Sequence, residues 1–373
     1  MSKSDHRTVI PARKFDHRMV TLAREAVGLT QTALAHKVGI SQAFISKIEN
    51  GFEIPTQVLQ DEIASACGVP SEFFEQSEGI LGESLVDLYH KKRLTLPAKP
   101  LKKANAIANI CRNEATRLLR TVEFEDSAPF PNFPIHERAP EEIAQAVRAL
   151  WRIPAGPLPN LIALIEAAGI PVYVVDLEHE KLSAMSMPGP AGIHVIVLNK
   201  RLPPSARRFA LAHELGHLTM HSGQPGDDME HEADRFASAF LMPQEDIRRD
   251  FSNLKFSMLG NLKMKWRVSF AALIYRAHAI GAISSTQYRN LNIQLSKLPS
   301  GRKTEPGEFA EEEPRLLRHV LEHFESDLGY TRDELQQLLL VTPERLSVQY
   351  FGEAFVPRPV SINRRLHSVS ITG

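Results

Sequence analysis

Residues 207–221 read Arg-Arg-Phe-Ala-Leu-Ala-His-Glu-Leu-Gly-His-Leu-Thr-Met-His, and this stretch decides how the larger part of the chain is interpreted. Its residues repeat at helical spacing, which predicts a helix from Pro204 to Met220. Side chains four positions apart lie one turn above the other on a helix, so the imidazoles of His213 and His217 can reach one metal ion. The sequence therefore predicts a metal site on this helix.

A third ligand is expected from the next helix, predicted at residues 229–242. Its candidate ligands are Glu230, His231, Glu232 and Asp234, and its apolar face carries Ala233, Ala237, Phe240 and Leu241. At about 100° per residue, Glu230 and Asp234 lie on the side of that apolar face. We predict Glu230, which follows His217 by 13 residues, as the third ligand. Asp234, one turn further, is predicted to accept the second N–H of a ligand histidine.

Other polar residues near these helices are not predicted to be metal ligands. Glu232 is expected to point away from the apolar face, with Arg235 as its polar neighbour. His221 continues the four-residue spacing and is interpreted as a support at the helix end in preference to a ligand. Tyr173 and His194 lie on apolar strand-like runs, where either could steady an oxyanion, although packing is the simpler interpretation.

The chemistry predicted for this cluster is hydrolytic. Glu214, beside the first histidine, can take a proton from metal-bound water and later donate it to a leaving amine. Two imidazoles and one carboxylate with an open position are typical of hydrolytic zinc sites, so Zn²⁺ is the predicted metal, with manganese as the alternative. A purely structural zinc would more often have cysteine ligands, and the short motif can also arise by chance. Metzincins are excluded, because they need glycine and histidine where this chain has Met220 and Gly223.

Several separated stretches resemble the ImmA/IrrE family of zinc metallopeptidases. They are residues 151–161, residues 207–221, residues 230–243 and Lys265-Trp266-Arg267-Val268-Ser269, so the resemblance spans roughly residues 80–300. It implies a gluzincin-like fold, with a short sheet over the two metal helices and a helical lobe after them. It also implies a peptidase that cleaves an XRE-type repressor in response to a signal. Asp234 stands where that family often has asparagine, which leaves the ligand set intact.

A second pattern near the N-terminus predicts a helix-turn-helix. Thr30 and Ser41 can cap two helices, the first over residues 31–38 and the second ending at residues 50–51, with Gly39 in the turn between them. The outward face of the second helix carries Gln42, Ala43, Ser46 and Lys47. Amides can bond bidentately to adenine edges in the major groove, and lysine can hold phosphate. This face therefore suits DNA, although a helix-turn-helix used only for protein contact is the alternative.

Residues 29–51, Leu-Thr-Gln-Thr-Ala-Leu-Ala-His-Lys-Val-Gly-Ile-Ser-Gln-Ala-Phe-Ile-Ser-Lys-Ile-Glu-Asn-Gly, closely resemble the XRE family of lambdoid phage repressors. The resemblance covers about residues 15–78 and implies a five-helix bundle. It places Gln31 at the phosphate backbone and places three residues at or near the bases, namely Ser41, Gln42 and Lys47. Such repressors often have a second glutamine where this chain has Ala43, so their preferred DNA sequence does not transfer.

Charge, cysteines and hydropathy limit the protein class. The net charge is zero, but residues 83–120 hold nine basic and three acidic residues, and the first fifty residues hold eight basic and four acidic ones. This basic charge suits a polyanion such as double-stranded DNA, with a solvated helix surface as the alternative for residues 83–120. Cys67 and Cys111 are expected to pack and not to form a disulfide. Without a stretch of about 18 apolar residues or an apolar signal region, we expect a cytoplasmic protein with no membrane span.

The predicted fold is mainly α with a small β-sheet (α+β). We expect four regions: a helix-turn-helix domain at 1–80, a basic helical segment with a Pro-rich linker at 81–140, a metallopeptidase domain at 141–300 and a helical C-terminal extension at 301–373. Residues 82–128 are predicted to form two amphipathic helices broken at Pro97 and Pro100, and a protease could reach the linker at 127–140. Further predictions are helices near 312–328 and 331–340 and a mobile tail at 361–372. The helix at 331–340 weakly resembles a second helix-turn-helix and is interpreted as packing or partner docking.

Two functions fit these motifs. The first is a DNA-binding transcriptional regulator, expected to be a homodimer, whose zinc endopeptidase cleaves a partner repressor or its own linker to relieve repression. The second is a one-component repressor whose zincin fold senses a ligand or metal without proteolysis. An antitoxin-like partner of a neighbouring gene is a third possibility that genomic context would decide.

Overall fold

The computed structural model describes residues 15–76, 79–80, 97–120, 122, 128–133, 138–221, 228–298 and 305–354. Within these residues the chain is mainly helical with one small sheet, which confirms the predicted fold class. The N-terminal helices are α1 (His17–Ala26), α2 (Gln31–Lys37), α3 (Gln42–Glu49) and α4 (Gln57–Cys67), followed by the 3-10 helix Ser71–Glu75. None of the described helices is long and apolar enough to cross a bilayer.

The central elements are α5 (Ala98–Leu119), α6 (Pro140–Leu150), α7 (Leu161–Ala167), β1 (Val172–Val175), β2 (Ala184–Met187), the 3-10 helix Pro190–Gly192 and β3 (Val195–Asn199). They lead to α8 (Pro204–Met220), α9 (Met229–Leu241), α10 (Gln244–Ile247), the 3-10 helix Phe256–Met258, α11 (Leu259–Trp266), α12 (Phe270–Ala279) and α13 (Ser285–Ser296). The last elements are α14 (Leu316–Ser326), α15 (Arg332–Leu339), α16 (Pro343–Arg345) and the π-helix Leu346–Tyr350.

Two helices of the N-terminal bundle begin at the capping residues that the sequence predicted. The side chain of Thr30 accepts a hydrogen bond from the amide of Ala33, and Ser41 accepts one from Phe44, so both predicted caps are confirmed. The core of the bundle includes Val20, Leu34, Ile45, Ile48, Ile63 and Phe74, which are fully buried. The fifth helical element, which the resemblance implied, is a short 3-10 helix at Ser71–Glu75.

Helix α5 connects the N-terminal bundle to the rest of the protein. It begins after Pro97 and runs through Pro100, so the predicted helix break at Pro100 is wrong. Pro100 lies in the first turn, where its missing N–H would have no partner within the helix. Ala106 and Ile110 pack in the core of the bundle. Residues on another side of α5 pack under the sheet, among them Leu101, Ala108, Cys111, Ala115 and Leu118.

The sheet has the order β1-β3-β2 and lies between two helical layers. Strand β1 is parallel to β3, and β2 is antiparallel to it. Side chains alternate between the faces of a strand, and the residues that face α8 include Val172, Ala184, Ile196 and Leu198. The opposite face, toward α5 and the C-terminal helices, includes Tyr173, Met185, Val195 and Val197. The two predicted strand-like runs contain β1 and β3, whereas β2, Ala-Met-Ser-Met, had no strand signal in the sequence.

The C-terminal segment packs against the central part of the protein. The Glu312 carboxylate accepts hydrogen bonds from the first amides of α7, at 2.8 Å from Leu161 and 3.1 Å from Ile162, and it also pairs with Arg208. The helices predicted near 312–328 and 331–340 are confirmed as α14 and α15. Their apolar residues are buried under the sheet, among them Leu317, Leu321, Leu335 and Leu339. These contacts favour the packing interpretation of α15. The predicted tail at 361–372 lies outside the described residues.

Residues 128–133, which belong to the predicted linker at 127–140, are held against the central core. The amide of Ala128 donates to the carbonyl of Ala167 at 3.0 Å, and the amide of Phe133 donates to the carbonyl of Thr219 at 3.0 Å. The ring of Phe130 stacks on His194 with centroids 4.3 Å apart. This stretch is therefore packed where the sequence suggested an accessible linker, while residues 123–127 and 134–137 lie outside the described part of the chain.

Candidate metal centre and DNA-reading face

The candidate metal centre lies between α8 and α9, which pack closely on each other. The predicted helix Pro204–Met220 is confirmed, and the predicted second helix ends one residue early, at Leu241. Gly216 permits the close approach, because a Cβ at this position would lie 3.0 Å from the ring of Phe236. Because Gly216 has no side chain, the two helices pack closely enough to place the acidic first turn of α9 beside the histidines of α8.

Three predicted ligands come together between the two helices. The Nε2 atoms of His213 and His217 are 3.0 Å apart, and Glu230 lies 3.7 Å from His213 Nε2 and 3.3 Å from His217 Nε2. Within the described residues these three side chains form a group whose candidate ligand atoms all lie within 4.8 Å of one another. Both imidazoles thus turn the same nitrogen toward one point, beside a carboxylate oxygen.

This donor set fits a zinc ion. Two imidazole nitrogens and one carboxylate oxygen, with room for a fourth ligand, are the donors of hydrolytic zinc sites. Burial lowers the pKa of His217, which favours the neutral form that a metal needs. Burial also opposes protonation of His213, but the hydrogen bond to Asp234 and the nearby carboxylates outweigh it and raise the pKa of His213. Concentrated negative charge around His213 would equally favour a bound cation.

Glu214 directly follows His213 in α8 and is buried, with 2% of its surface exposed. A carboxylate at this position is therefore held away from bulk water beside the candidate ligands. Such a group can exchange a proton with a water molecule that approaches the ligand cluster.

The two histidines have different supports. His213 Nδ1 lies 2.9 Å from Asp234 Oδ1, the contact that the helical phase predicted for a ligand histidine and Asp234. His217 Nδ1 instead lies 3.0 Å from His221 Nδ1. Burial, together with the neighbouring histidines, lowers the pKa of His221 to about 3, so its imidazole is neutral.

The prediction for Glu232 is wrong. Its Oε2 atom lies 3.0 Å from His221 Nε2, whereas Arg235, its predicted neighbour, pairs with Glu141 at 2.7 Å. The direction of the Glu232 side chain was predicted only relative to the apolar face of its own helix, α9. The helical phase could not show that the end of α8, with His221, reaches the side of α9 that carries Glu232. The four-residue spacing from His217 to His221 was the available signal.

Tyr173 and His194 both have packing contacts. The hydroxyl of Tyr173 lies 3.3 Å from that of Tyr350, on the face of the sheet opposite α8. This position removes Tyr173 from the candidate metal centre. His194 stacks on Phe130, as described above, and burial lowers its pKa.

The helix-turn-helix exposes three of the four residues that the sequence assigned to DNA, and the fourth, Gln31, is half-buried. Gln42 and Lys47 are exposed on α3, and Ser41 caps its N-terminus. Gln42 donates to the Gln31 amide oxygen at 2.7 Å, and Gln31 donates to the Glu49 carboxylate at 2.8 Å. Gln31, which the resemblance placed at the phosphate backbone, is thus also a support for Gln42. The chain of bonds orients Gln42 before any DNA is present.

The basic residues of α5 are only partly available to a polyanion. The guanidinium groups of Arg112 and Arg117 are buried; Arg117 donates to the carbonyl of Leu339 at 2.6 Å. Lys103 pairs with Glu178 at 2.7 Å, whereas the Lys102 ammonium is largely exposed, 3.8 Å from Glu25. Three basic side chains of this helix, those of Lys103, Arg112 and Arg117, are therefore buried or paired within the protein. The preceding basic residues at 91–93 lie outside the described residues.

Two family models match the chain. Residues 165–278 match the IrrE N-terminal-like domain, a metallopeptidase model, and residues 21–74 match the helix-turn-helix model. A search of curated proteins found no significant match. The matched ranges contain the candidate metal centre and the reading helix respectively. Both resemblances inferred from the sequence are thereby confirmed.

Proposed function

We propose that this chain, a DNA-binding regulator with a metallopeptidase domain, is a zinc endopeptidase that cleaves a regulatory protein and so relieves repression in response to a signal. The observation that carries the proposal is the meeting of His213, His217 and Glu230 at one point, with Glu214 buried beside them. Because the same chain carries a helix-turn-helix domain, we propose that the proteolysis controls transcription.

The proposed roles of the residues follow from their positions. His213, His217 and Glu230 would hold the zinc ion, and Asp234 would orient His213. The bound zinc would supply the Lewis acidity that polarises a peptide carbonyl and a water molecule. Glu214 would take a proton from the water as its oxygen bonds to the carbonyl carbon. It would then pass that proton to the nitrogen of the breaking C–N bond, which yields a carboxyl group and an amine.

The packing of residues 128–133 favours a separate protein as the substrate. An extended peptide must leave its own contacts to enter a peptidase cleft, and this stretch is bonded to the carbonyls of Ala167 and Thr219. We therefore propose cleavage of a partner repressor of the XRE type in preference to cleavage within the described linker. We also propose that the chain binds its operator as a homodimer, because one reading helix contacts few base pairs and two half-sites multiply specificity.

A time course of proteolysis tests the proposal. Zinc-loaded protein, Glu214→Gln and the exposed control Glu313→Gln are incubated alone and with lysate of the source cells, and products are identified by intact mass and N-terminal mapping. We expect a cut that Glu313→Gln retains and that Glu214→Gln slows by about 10²–10⁴-fold, the usual contribution of a general base.

Two outcomes decide against parts of the proposal. A cut within the chain's own linker would replace the partner substrate by self-cleavage. If no cut occurs while zinc and operator DNA remain bound, proteolysis is the wrong mechanism, and a repressor whose peptidase-like domain senses a ligand is favoured.

A further inference from the structure

We infer that His221 and Glu232 form a hydrogen-bonded relay that orients His217, and that both are positioning residues of the metal centre. This inference rests on the proposed zinc site. The relay runs from His217 Nδ1 to His221 Nδ1 at 3.0 Å, and from His221 Nε2 to Glu232 Oε2 at 3.0 Å. It links the end of α8 to the first turn of α9.

The geometry assigns His221 a role other than that of a ligand. His217 turns Nε2 toward His213 and Glu230, and it turns Nδ1 toward His221. The two nitrogens of an imidazole point away from each other on opposite sides of the ring. His221 therefore meets His217 on the side away from the candidate metal position.

Zinc binding through His217 Nε2 would determine which ring nitrogen of His217 and of His221 carries a hydrogen. A neutral imidazole carries one N–H, so a His217 that binds zinc through Nε2 must carry its hydrogen on Nδ1. His221 Nδ1 then accepts that hydrogen bond, which leaves the hydrogen of His221 on Nε2. This N–H points at Glu232, whose carboxylate can only accept. One tautomer of each histidine satisfies both contacts.

Burial strengthens this arrangement. The side chain of His221 is 2% exposed and that of His217 is 1% exposed, so little water competes for their ring nitrogens. Glu232 is 24% exposed and ends the relay at the protein surface. Hydrogen bonds in series polarise one another in such surroundings. His217 is thus linked to the Glu232 carboxylate through His221, whereas His213 contacts the Asp234 carboxylate directly.

Zinc affinity is the readout that tests the relay. We would measure the Zn²⁺ dissociation constant of the full chain by competition with a chromogenic chelator, for wild type, His221→Phe, His221→Asn and Glu232→Gln. The control is His231→Phe, which removes an exposed histidine from α9 next to Glu232. We expect His221→Phe to weaken zinc binding by about 10–100-fold, the usual effect of losing a partner behind a metal ligand. His221→Asn, which keeps an acceptor, and Glu232→Gln, which loses only the charge, should show smaller losses.

A spectroscopic signature separates orientation from folding. In protein labelled with ¹⁵N-histidine and loaded with zinc, long-range ¹H–¹⁵N spectra should show the hydrogen of His217 on Nδ1 and that of His221 on Nε2. In the absence of zinc, each variant should lose less free energy of unfolding, relative to wild type, than it loses in zinc-binding free energy. A loss of zinc affinity matched by an equal loss of zinc-free stability would make His221 a packing residue and overturn the inference.

The failures of the two proposals are distinguishable. If wild type binds zinc tightly and His221→Phe binds it equally well, the relay is wrong and the zinc site stands. If wild type itself does not bind zinc, the proposed function fails.

Discussion

The reading face of α3 and the metal centre between α8 and α9 use polar side chains in opposite ways. Gln42 and Lys47 are exposed and have neighbours close in sequence or in the same small bundle. His213 and His217 are shielded from water and depend on side chains of a second helix. The reading face should therefore tolerate substitution with little loss of stability, whereas buried polar groups of the central region should not.

Lys263→Met should give the largest effect on stability. Lys263 is 0% exposed, lies 3.2 Å from Glu305 and also pairs with Glu308, so its loss leaves the buried carboxylate of Glu305 and the more exposed carboxylate of Glu308 without their cation. Breaking a buried pair from one side costs about 3–5 kcal/mol. We expect a loss of that size in urea unfolding, and Lys297→Met, at an exposed lysine, is the control. A loss below about 1 kcal/mol would show that water reaches these carboxylates.

Glu166→Gln should stabilise the protein increasingly as the pH rises. Burial raises the pKa of Glu166 from 4.5 to about 7, so the native state binds the proton more tightly than the unfolded state. The wild type therefore loses stability between about pH 4.5 and 7, by up to about 3 kcal/mol, and the neutral amide of the variant removes this loss.

The Glu166 prediction is checked by urea unfolding of both proteins at several pH values. Glu72→Gln in the N-terminal bundle is the exposed control. Part of the gain will be offset, because the Glu166 carboxylate accepts hydrogen bonds from the amides of Arg315 and Leu316, at 2.8 and 3.1 Å. A difference from wild type that stays constant with pH would contradict the prediction.

Gln42→Ala should weaken specific DNA binding without destabilising the fold. A bidentate amide contact with a base contributes about 1–3 kcal/mol of discrimination, and an exposed substitution changes stability by about 0.5 kcal/mol or less. We would select an operator from randomised duplexes and measure affinity for it and for unrelated DNA. Gln294→Ala on α13 is the control. Equal losses on both DNAs would mean that Gln42 does not read bases.

Lys47→Ala should give the smallest effect, a uniform loss of affinity with a shallower salt dependence. Removal of one phosphate contact reduces the slope of log affinity against log salt by about 1. Lys103→Ala should leave the slope unchanged, because Lys103 pairs with Glu178 at 2.7 Å. If both substitutions change the slope equally, DNA also contacts the N-terminal end of α5.

Features that depend on residues close together in sequence were predicted correctly in both regions. Thr30, Ser41 and the spacing of His213 and His217 act through neighbours within four residues, and their predicted placement agrees with the structure. Glu230 was predicted from the phase of a second helix, which sufficed because it lies on the inner side of α9.

Apart from the helix break at Pro100, the wrong predictions concern contacts between distant segments. Glu232 was judged against its own helix, although its partner His221 belongs to α8. Residues 127–140 were interpreted from their proline content as an accessible linker, although the amides of Ala128 and Phe133 bond to carbonyls far along the chain. Strand β2 has no β-branched residues, and its pairing with β3 gives it its conformation.

The sequence by itself determined the two functional motifs, the helices that carry them and the residues that face one another within a helical turn, because these depend on spacing and capping along the chain. Only the tertiary structure decided that His213 contacts Asp234 while His217 contacts His221, and that Arg112 and Arg117 of α5 are buried. Those outcomes depend on how separate amphipathic elements pack. That packing is a property of the whole core, and no single segment contains it.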